Sequence, residues 1–148
     1  MTHRSSERNS ELAKLENMKS ALKDQIQTIP SGLEKYLGIG EMVLPSEETI
    51  RRELKKIPEG KLTTIPMIRE SIAAQFGVTT ACPKTSLKML RNMMEEKNSG
   101  AYKVLNGKGE LIASDLELQS ELLIADGFAI DRSKSKPKVE QFKNYLMD

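Results

Sequence analysis

The chain has 148 residues, 38% of them hydrophobic and 4% aromatic, and its 23 basic and 21 acidic side chains give a net charge of +2. This length suits one domain with a modest core, and any affinity for a polyanion must depend on where the cations lie. One cysteine excludes an intrachain disulfide, one histidine argues against a zinc site, and no apolar run reaches the about 20 residues that span a bilayer. We therefore expect a soluble, cytoplasmic protein with no metal and no cofactor.

The N-terminal part is predicted to be a leader followed by a helical extension. Residues 1–10 are polar and are expected to be disordered. From residue 11 to about residue 27, apolar side chains recur at helical spacing. They are Leu12, Leu15, Met18, Leu22 and Ile26. This pattern predicts an amphipathic helix that packs on the domain or on a protein partner. Glycines and Pro30 then break the chain, with one helical turn at residues 33–37, so the extension covers residues 11–44.

Two helices with clear boundaries follow. Ser46 can cap the first helix, and Pro58 ends it. Thr64 can cap the second helix, which tolerates Pro66 because amide groups in the first turn have no intrahelical partner. Gly77 is a natural C-terminal stop for this second helix.

A third helix is predicted near residues 85–96, and its outer side is basic and polar. The side chains that share this side follow one another at positions i, i+4, i+7 and i+8. They are Lys84, Lys88, Arg91 and Asn92. Cations there would neutralise phosphates, and Thr85, Ser86 and Asn92 could hydrogen-bond to backbone or base edges. A charged helix face is often only solvated, however, and Glu95 and Glu96 follow directly and would repel phosphate if they faced it.

The next segment is predicted to be a hairpin followed by a helix. Asn106-Gly107 lies between short apolar runs and predicts a tight turn with positive φ at both residues, with residues 102–105 leading out and residues 110–113 leading back. Ser114 and Glu117 form a capping box for the next helix, which Asp126 and Gly127 close. This order predicts a mostly α, winged helix-turn-helix domain at residues 45–130 with a small β-hairpin. Residues 131–148 are predicted to be a basic linker and a short helix.

Three other side chains are candidates for a chemical role. Cys82 is the only thiol, and a nucleophilic cysteine needs a base or a positive field to lower its pKa. Lys84 could supply a field, but the only histidine is His3 in the leader, so a buried structural cysteine is favoured over a Cys82-dependent enzyme. Tyr102 and Asp126 could pair across the junction between hairpin and helix.

Residues 57–128 resemble the DNA-binding domain of methylguanine–DNA methyltransferases and their alkyltransferase-like relatives. Residues 58–64 match the family's lead into its first helix, with proline, glycine and threonine in place. Residues 106–109 match its Asn-x-x-Gly turn, and Asp126-Gly127 stands where the family has Glu-Gly. The family's Pro-Cys-His-Arg-Val motif falls on residues 100–104. The acceptor cysteine therefore aligns with Ala101, the activating histidine with Tyr102 and the arginine with Lys103.

The differences from the family's motif at residues 101–103 imply a binding protein and not an enzyme. Alanine has no nucleophile, so alkyl transfer at Ala101 is chemically impossible. The alkyltransferase-like relatives also lack the cysteine and are thought to flag alkylated bases for repair. The resemblance implies double-stranded DNA, which is expected to be alkylated, as the partner, with the third helix in the minor groove and Lys84 in place of the family's inserted arginine. Its DNA contacts would come from Thr64, Lys84, Thr85, Ser86, Lys88, Arg91, Asn92 and Lys103. A flipped base would enter a pocket of Ile65, Met93, Ala101, Tyr102 and Asp126.

Two other readings remain open at this point. The domain could be a winged-helix regulatory or protein-interaction module without lesion recognition, with the helix from Leu12 to Ile26 as its docking surface. It could also be an enzyme that depends on Cys82.

Overall fold

The computed structural model describes residues 23–148, a mixed α/β arrangement of five α-helices with short strands between them. The helices are α1 (Glu34–Leu37), α2 (Glu47–Lys55), α3 (Ile65–Phe76), α4 (Pro83–Asn92) and α5 (Leu116–Ala125). The strands are β1 (Gln25–Thr28), β2 (Glu41–Leu44), β3 (Thr63–Thr64), β4 (Thr80–Ala81), β5 (Val104–Leu105), β6 (Ile130–Asp131) and β7 (Lys138–Val139).

The predicted starts and stops of α2 and α3 are confirmed. The Ser46 hydroxyl accepts a hydrogen bond of 3.2 Å from the Thr49 amide and caps α2. The Thr64 hydroxyl accepts one of 3.3 Å from the Met67 amide and caps α3. Gly77 ends α3 with a φ of 65°, a left-handed conformation that glycine adopts without a steric penalty.

Both predicted ends of α4 and the predicted start of α5 are wrong, whereas the predicted stop of α5 at Asp126 and Gly127 is confirmed. Helix α4 begins at Pro83, and not at residue 85, because proline is well suited to the first helical turn. It ends at Asn92, and not at residue 96. The cap of α5 is Asp115, whose carboxylate accepts a hydrogen bond of 3.1 Å from the Leu118 amide. The capping box that begins with Ser114 is therefore incorrect.

Strand pairing replaces part of the predicted N-terminal helix. Most of the helix predicted at residues 11–27 lies outside the described residues, but its last part forms β1, so the prediction is wrong there. Strand β1 pairs antiparallel with β2, with Gln25 opposite Leu44 and Thr28 opposite Glu41. Strand β2 also pairs in parallel with β4, so that β2 is the central strand of this three-stranded sheet. The predicted helical turn at residues 33–37 is present as a 3-10 turn followed by α1.

The predicted hairpin around Asn106-Gly107 is also wrong. Strand β5 pairs in parallel with β3, while residue 110 forms a bridge with Lys138. The Asn106 amide donates to the Glu110 carbonyl at 3.0 Å and closes a turn, but the residue with positive φ in this turn is Gly109, at 82°. The antiparallel hairpin of this region is β6–β7, where the sequence predicted a linker and a helix. Only a 3-10 turn, at Phe142–Tyr145, remains of that helix.

The core is one cluster to which helices, short strands and the C-terminal segment all contribute. Its fully enclosed members, with 0% exposure, are Val43, Ile50, Leu62, Ile72, Ala81, Leu90, Ala101, Val104, Leu105, Leu123 and Val139. Because Val139 belongs to it and Phe142 is only 7% exposed, the C-terminal segment packs as part of the same core.

Candidate nucleic-acid interface

Helices α3 and α4 follow each other in the chain, and the segment that connects them is held by Arg69. The Arg69 Nε donates to the Ala81 carbonyl at 2.9 Å, and its Nη2 donates to the Thr80 hydroxyl at 2.9 Å. Thr80 and Ala81 form β4, so this arginine fixes the strand that leads directly into α4. Burial lowers the pKa of Arg69, with the nearby Cys82 acting in the opposite direction. The first helix thereby sets where the second one starts.

The outer side of α4 presents the predicted cations. Lys84, Lys88, Arg91 and Asn92 are all exposed. At 3.6 residues per turn they lie within an arc of about 100° on the helix surface. Among residues 23–148, none of the ion pairs involves these three cations. The structure therefore brings together unneutralised positive charges on one face of the second helix.

Arg91 is held more firmly than the two lysines. Its Nε donates to the Ile112 carbonyl at 2.8 Å, which leaves the two terminal guanidinium nitrogens for other acceptors. The hydrogen bond ties the last turn of α4 to the segment that precedes α5. A guanidinium fixed in this way loses less entropy when it binds an anion than a free side chain does.

The repulsion of phosphate expected from Glu95 and Glu96, just after α4, applies to only one of the two carboxylates. Glu96 is bound by Arg51 of α2, at 2.9 Å between Nη1 and Oε2, and Arg51 also holds Glu47 at 2.6 Å. These contacts lower the pKa of Glu96 and raise that of Arg51, in both cases chiefly through the hydrogen bond that joins them. The Glu96 charge is thus directed toward α2, while Glu95 is exposed and forms no ion pair in the described part of the chain.

Two of the predicted DNA contacts are not available at the surface. Thr64 is 5% exposed, and its hydroxyl caps α3. Ser86 is 0% exposed, and its hydroxyl donates to the Cys82 carbonyl at 2.8 Å. The half-buried Thr85 donates its hydroxyl to the Cys82 sulfur at 3.4 Å. Thr64 and Ser86 are therefore corrected from contact residues to structural ones, because each hydroxyl serves its own helix start.

Cys82 itself is half-buried at the start of α4. The prediction of a buried cysteine is therefore met only in part, since the residue retains partial exposure. No histidine occurs in residues 23–148, so no imidazole of the described chain can serve as its base.

Four of the five positions predicted to form a base pocket belong to the core or pack against it, and the fifth, Asp126, is exposed. Met93, Ala101 and Tyr102 are 2%, 0% and 6% exposed and belong to the core, and Ile65 packs against it. The Tyr102 hydroxyl donates to the Asp126 carboxylate at 2.5 Å, which confirms the predicted pair. Burial, and then this hydrogen bond to a carboxylate, raise the pKa of Tyr102. Ala101 has no exposed surface, so a base could reach it only if the side chains around it moved.

Lys103 lies beside this closed pocket. Its Nζ is 5.8 Å from the centroid of the Tyr102 ring, and its side chain is half-buried. Lys103 is therefore partly exposed next to the Tyr102–Asp126 pair and could still reach a phosphate.

Sequence analysis missed a buried glutamine that holds this region together. Gln119 is 0% exposed, and its carbonyl oxygen accepts from the Ile112 and Ala113 amides, both at 2.9 Å. Its amide nitrogen donates to the Tyr102 and Val104 carbonyls, both at 3.0 Å. All the hydrogen-bonding groups of its side chain are satisfied, so it cross-links residues 102–104, which lead into β5, to residues 112–113. The only signal of its burial in the sequence was its position four residues before Leu123, a buried residue on the same face of α5.

Among the described residues, no cluster of histidine, cysteine or acidic side chains is placed to hold a metal ion. None of the helices in residues 23–148 combines the length and the apolar character needed to cross a bilayer.

Comparisons with known proteins give a match of fold. No protein-family model matches the chain, and no curated protein matches its sequence. Among solved structures, the chain resembles the crystal structure of S. pombe Atl1, an alkyltransferase-like protein, in complex with damaged DNA containing O6-carboxymethylguanine. The two share 17% sequence identity with a TM-score of 0.55, over 69% of this chain and 94% of Atl1. At this identity the likeness shows that the two proteins share a fold.

Proposed function

We propose that this protein is a non-catalytic DNA-binding protein that holds double-stranded DNA through the exposed face of α4. The observation that carries the proposal is the set of unpaired cations, Lys84, Lys88 and Arg91, on the second helix of the α3–α4 pair. The fold shared with Atl1, which is bound to damaged DNA in its crystal structure, supports the same reading.

In this proposal the three cations contact phosphates, and Asn92, Thr85 and Lys103 lie at the edges of the contact. Each phosphate neutralised by a cation releases counterions, which supplies affinity without sequence preference. With α4 in the minor groove, Lys84 would hold the space left by an extruded base. Its ammonium group would do so less well than a guanidinium, because it cannot stack as a planar group.

The residue that the resemblance aligns with the acceptor cysteine supports binding without alkyl transfer. Ala101 carries no nucleophile, and it is enclosed in the core with 0% exposure. We therefore propose binding without covalent transfer.

Recognition of a damaged base is a second, finer proposal, and the Atl1 complex favours it. A base that leaves the DNA stack must displace the Tyr102 ring and break its hydrogen bond with Asp126. The energy of that displacement would be offset only by a base that fits the opened space. Lesion preference would therefore depend on two free energies: the cost of breaking the Tyr102–Asp126 contact, and the gain when a base binds in the space behind it.

Fluorescence anisotropy of a labelled duplex tests the proposed function. The three phosphate contacts on α4 alone predict a slope of about −2.7 for log K against log salt, so the affinity should fall at least about 40-fold between about 50 and 200 mM salt, and any further contact would make the slope steeper. Absence of any salt-dependent affinity would remove the DNA-binding proposal. A matched duplex that contains O6-carboxymethylguanine tests the finer one. Equal affinity for the two duplexes would leave a general DNA-binding protein without lesion recognition.

A protein-interaction module is the alternative favoured by a different observation. Ile26, Tyr36 and Ile39, around β1 and α1, are 49%, 75% and 78% exposed, and exposed apolar side chains of this size are typical of docking surfaces. A dimer in sedimentation together with no DNA affinity would favour this function.

A further inference from the structure

The β6–β7 hairpin is held in a defined position by side chains of its own loop. The Asp131 carboxylate accepts from the Ser133 amide at 2.9 Å and from the Ser133 hydroxyl at 2.6 Å. Arg132 binds the Glu117 carboxylate and the Ser120 hydroxyl of α5, both at 2.6 Å. Arg132 thus anchors the hairpin to α5, whereas the lysines that follow Arg132 do not take part in this anchoring.

Four lysines surround the hairpin and the turn beside it. Lys134 and Lys136 are exposed in the hairpin loop, Lys108 is exposed in the neighbouring turn, and Lys138 extends its ammonium to 5.6 Å from the Phe142 ring centroid. Within the described chain, none of these lysines forms an ion pair with an acid. The hairpin is therefore positively charged.

Two carboxylates lie among these lysines, and both are already engaged. Glu110 accepts from the Asn106 side-chain amide at 2.8 Å, and this bond, followed by the charges of Lys136, Lys108 and Lys138, lowers the pKa of Glu110. The Ser133 hydrogen bonds, followed by nearby lysines, lower the pKa of Asp131 in the same way. Because four cations surround two carboxylates, the surface keeps an excess of positive charge.

The β6–β7 hairpin and the last turn of α4 both contact the segment at residues 111–112. The Leu111 amide donates to the Pro137 carbonyl at 3.0 Å, while the carbonyl of the next residue, Ile112, accepts from Arg91 of α4. Neighbouring residues of one segment thus contact both elements, so the Arg91 guanidinium and the hairpin backbone lie on the order of 10 Å apart. That distance corresponds to about three steps of a duplex that rises about 3.4 Å per base pair.

We propose that the β6–β7 hairpin is a second phosphate-binding surface, through which Lys134 and Lys136 contact the DNA backbone beside the contact made by α4. This inference rests on the proposed DNA-binding function and extends it. The hairpin takes the place of the wing that the sequence predicted at residues 102–113. Its loop, residues 132–137, carries lysines and serines and no large apolar side chain, a composition that suits a phosphate backbone better than an apolar protein surface.

The test compares three double variants with equal changes of charge, using the full chain and one undamaged duplex. Lys134→Gln with Lys136→Gln removes the hairpin charges, and Lys84→Gln with Lys88→Gln removes those of α4. The control replaces two lysines of α1 and α2, Lys35→Gln and Lys55→Gln, which are also exposed. Lys138 is left in place because its chain packs on Phe142. Thermal unfolding followed by circular dichroism checks that the fold of each variant is unchanged.

The hairpin variant should bind the duplex at least about tenfold more weakly than wild type at about 50 mM salt, and its salt slope should be smaller by about 1.8, which corresponds to two phosphate contacts. The control should keep a slope within about 0.5 of wild type. If the hairpin variant matches the control while the α4 variant is weakened, the inference is overturned and the proposed function stands. If wild type itself shows no salt-dependent affinity, both are overturned. If only the hairpin variant is weakened, the hairpin contact is supported and the role of α4 is contradicted.

Discussion

Gly109 offers a sharp test of how the C-terminal segment is packed. It has a φ of 82°, and a Cβ at this position would lie 2.2 Å from Cδ1 of Phe142. The carbonyl of Gly109 also accepts a hydrogen bond of 3.0 Å from the Val139 amide. Gly109→Ala therefore introduces backbone strain and a steric clash at the point where β7 and the Phe142 ring join the core.

The expected loss of stability is the sum of the backbone strain and the steric clash. A left-handed backbone costs a residue with a Cβ about 1–2 kcal/mol, and overpacking of a core costs about 1–3 kcal/mol. The free energy of unfolding should fall by about 3.5 kcal/mol in total. For a domain of this size, that loss lowers the melting temperature by roughly 10 °C.

Urea denaturation measures this loss, and the same turn supplies the control. A Cβ on Gly107 would meet only Pro66 Cγ, at 3.6 Å, and the φ of Gly107 is not positive, so Gly107→Ala should change stability by less than about 0.5 kcal/mol. Phe142→Leu should relieve the clash and reduce the cost of Gly109→Ala to its backbone term, about 1–2 kcal/mol. Equal stabilities of Gly109→Ala and Gly107→Ala would refute this account of the packing.

Three further predictions concern side chains near the candidate interface. Gln119→Leu removes the side-chain partner of four backbone groups, the Ile112 and Ala113 amides and the Tyr102 and Val104 carbonyls. Urea denaturation should therefore show a loss of about 3–5 kcal/mol, and a loss under about 1 kcal/mol would contradict the network. Asp115→Ala should cost about 1 kcal/mol as the loss of a helix cap, whereas Ser114→Ala should cost less than about 0.5 kcal/mol, and the reverse order would restore the predicted capping box. The raised pKa of Tyr102 means that, as the pH rises above the ordinary tyrosine value of 10.0, the unfolded chain releases its proton while the folded chain retains it beside Asp126. Wild type should therefore lose stability above pH 10 relative to Tyr102→Phe, and parallel stability profiles would contradict the buried phenol.

Local signals predicted the helices that position the interface. A cap at Thr64, a proline in the first turn and a glycine stop at Gly77 act within a few residues of one another, so the sequence alone places α3. The cations of α4 could be assigned to one face for the same reason, since helical spacing depends only on the distance along the chain.

Long-range pairing could not be predicted in this way. Strands β3 and β5 have two residues each, too few to show an alternating pattern, and they pair across about 40 residues of chain. Residues 25–28 continued a helical spacing of apolar side chains, but pairing with β2 placed them in a strand. The turn at Asn106 has the composition of a hairpin, yet the segment that follows it contacts β7 and not β5.

The predicted base pocket depended on packing that the residues alone do not reveal. The resemblance placed Ile65, Met93, Ala101, Tyr102 and Asp126 around one site, and among these five the structure joins Tyr102 to Asp126 by a hydrogen bond. Whether this site is an open pocket depends on Tyr102. Its large side chain is buried and donates a hydrogen bond from its hydroxyl to Asp126. Likewise, Ser86 belongs to a basic helix, but its position in the turn directs its hydroxyl to the Cys82 carbonyl.

The central claim is that DNA contacts the exposed face of α4, and a backbone amide NMR titration of the full chain with a short duplex tests it most directly. The account predicts that the largest shift changes occur at residues 83–92 and at Lys103, and that they disappear when the salt concentration is raised. Shift changes confined to the apolar surface of Ile26, Tyr36 and Ile39, or no changes at residues 83–92 when the duplex is in excess, would contradict it.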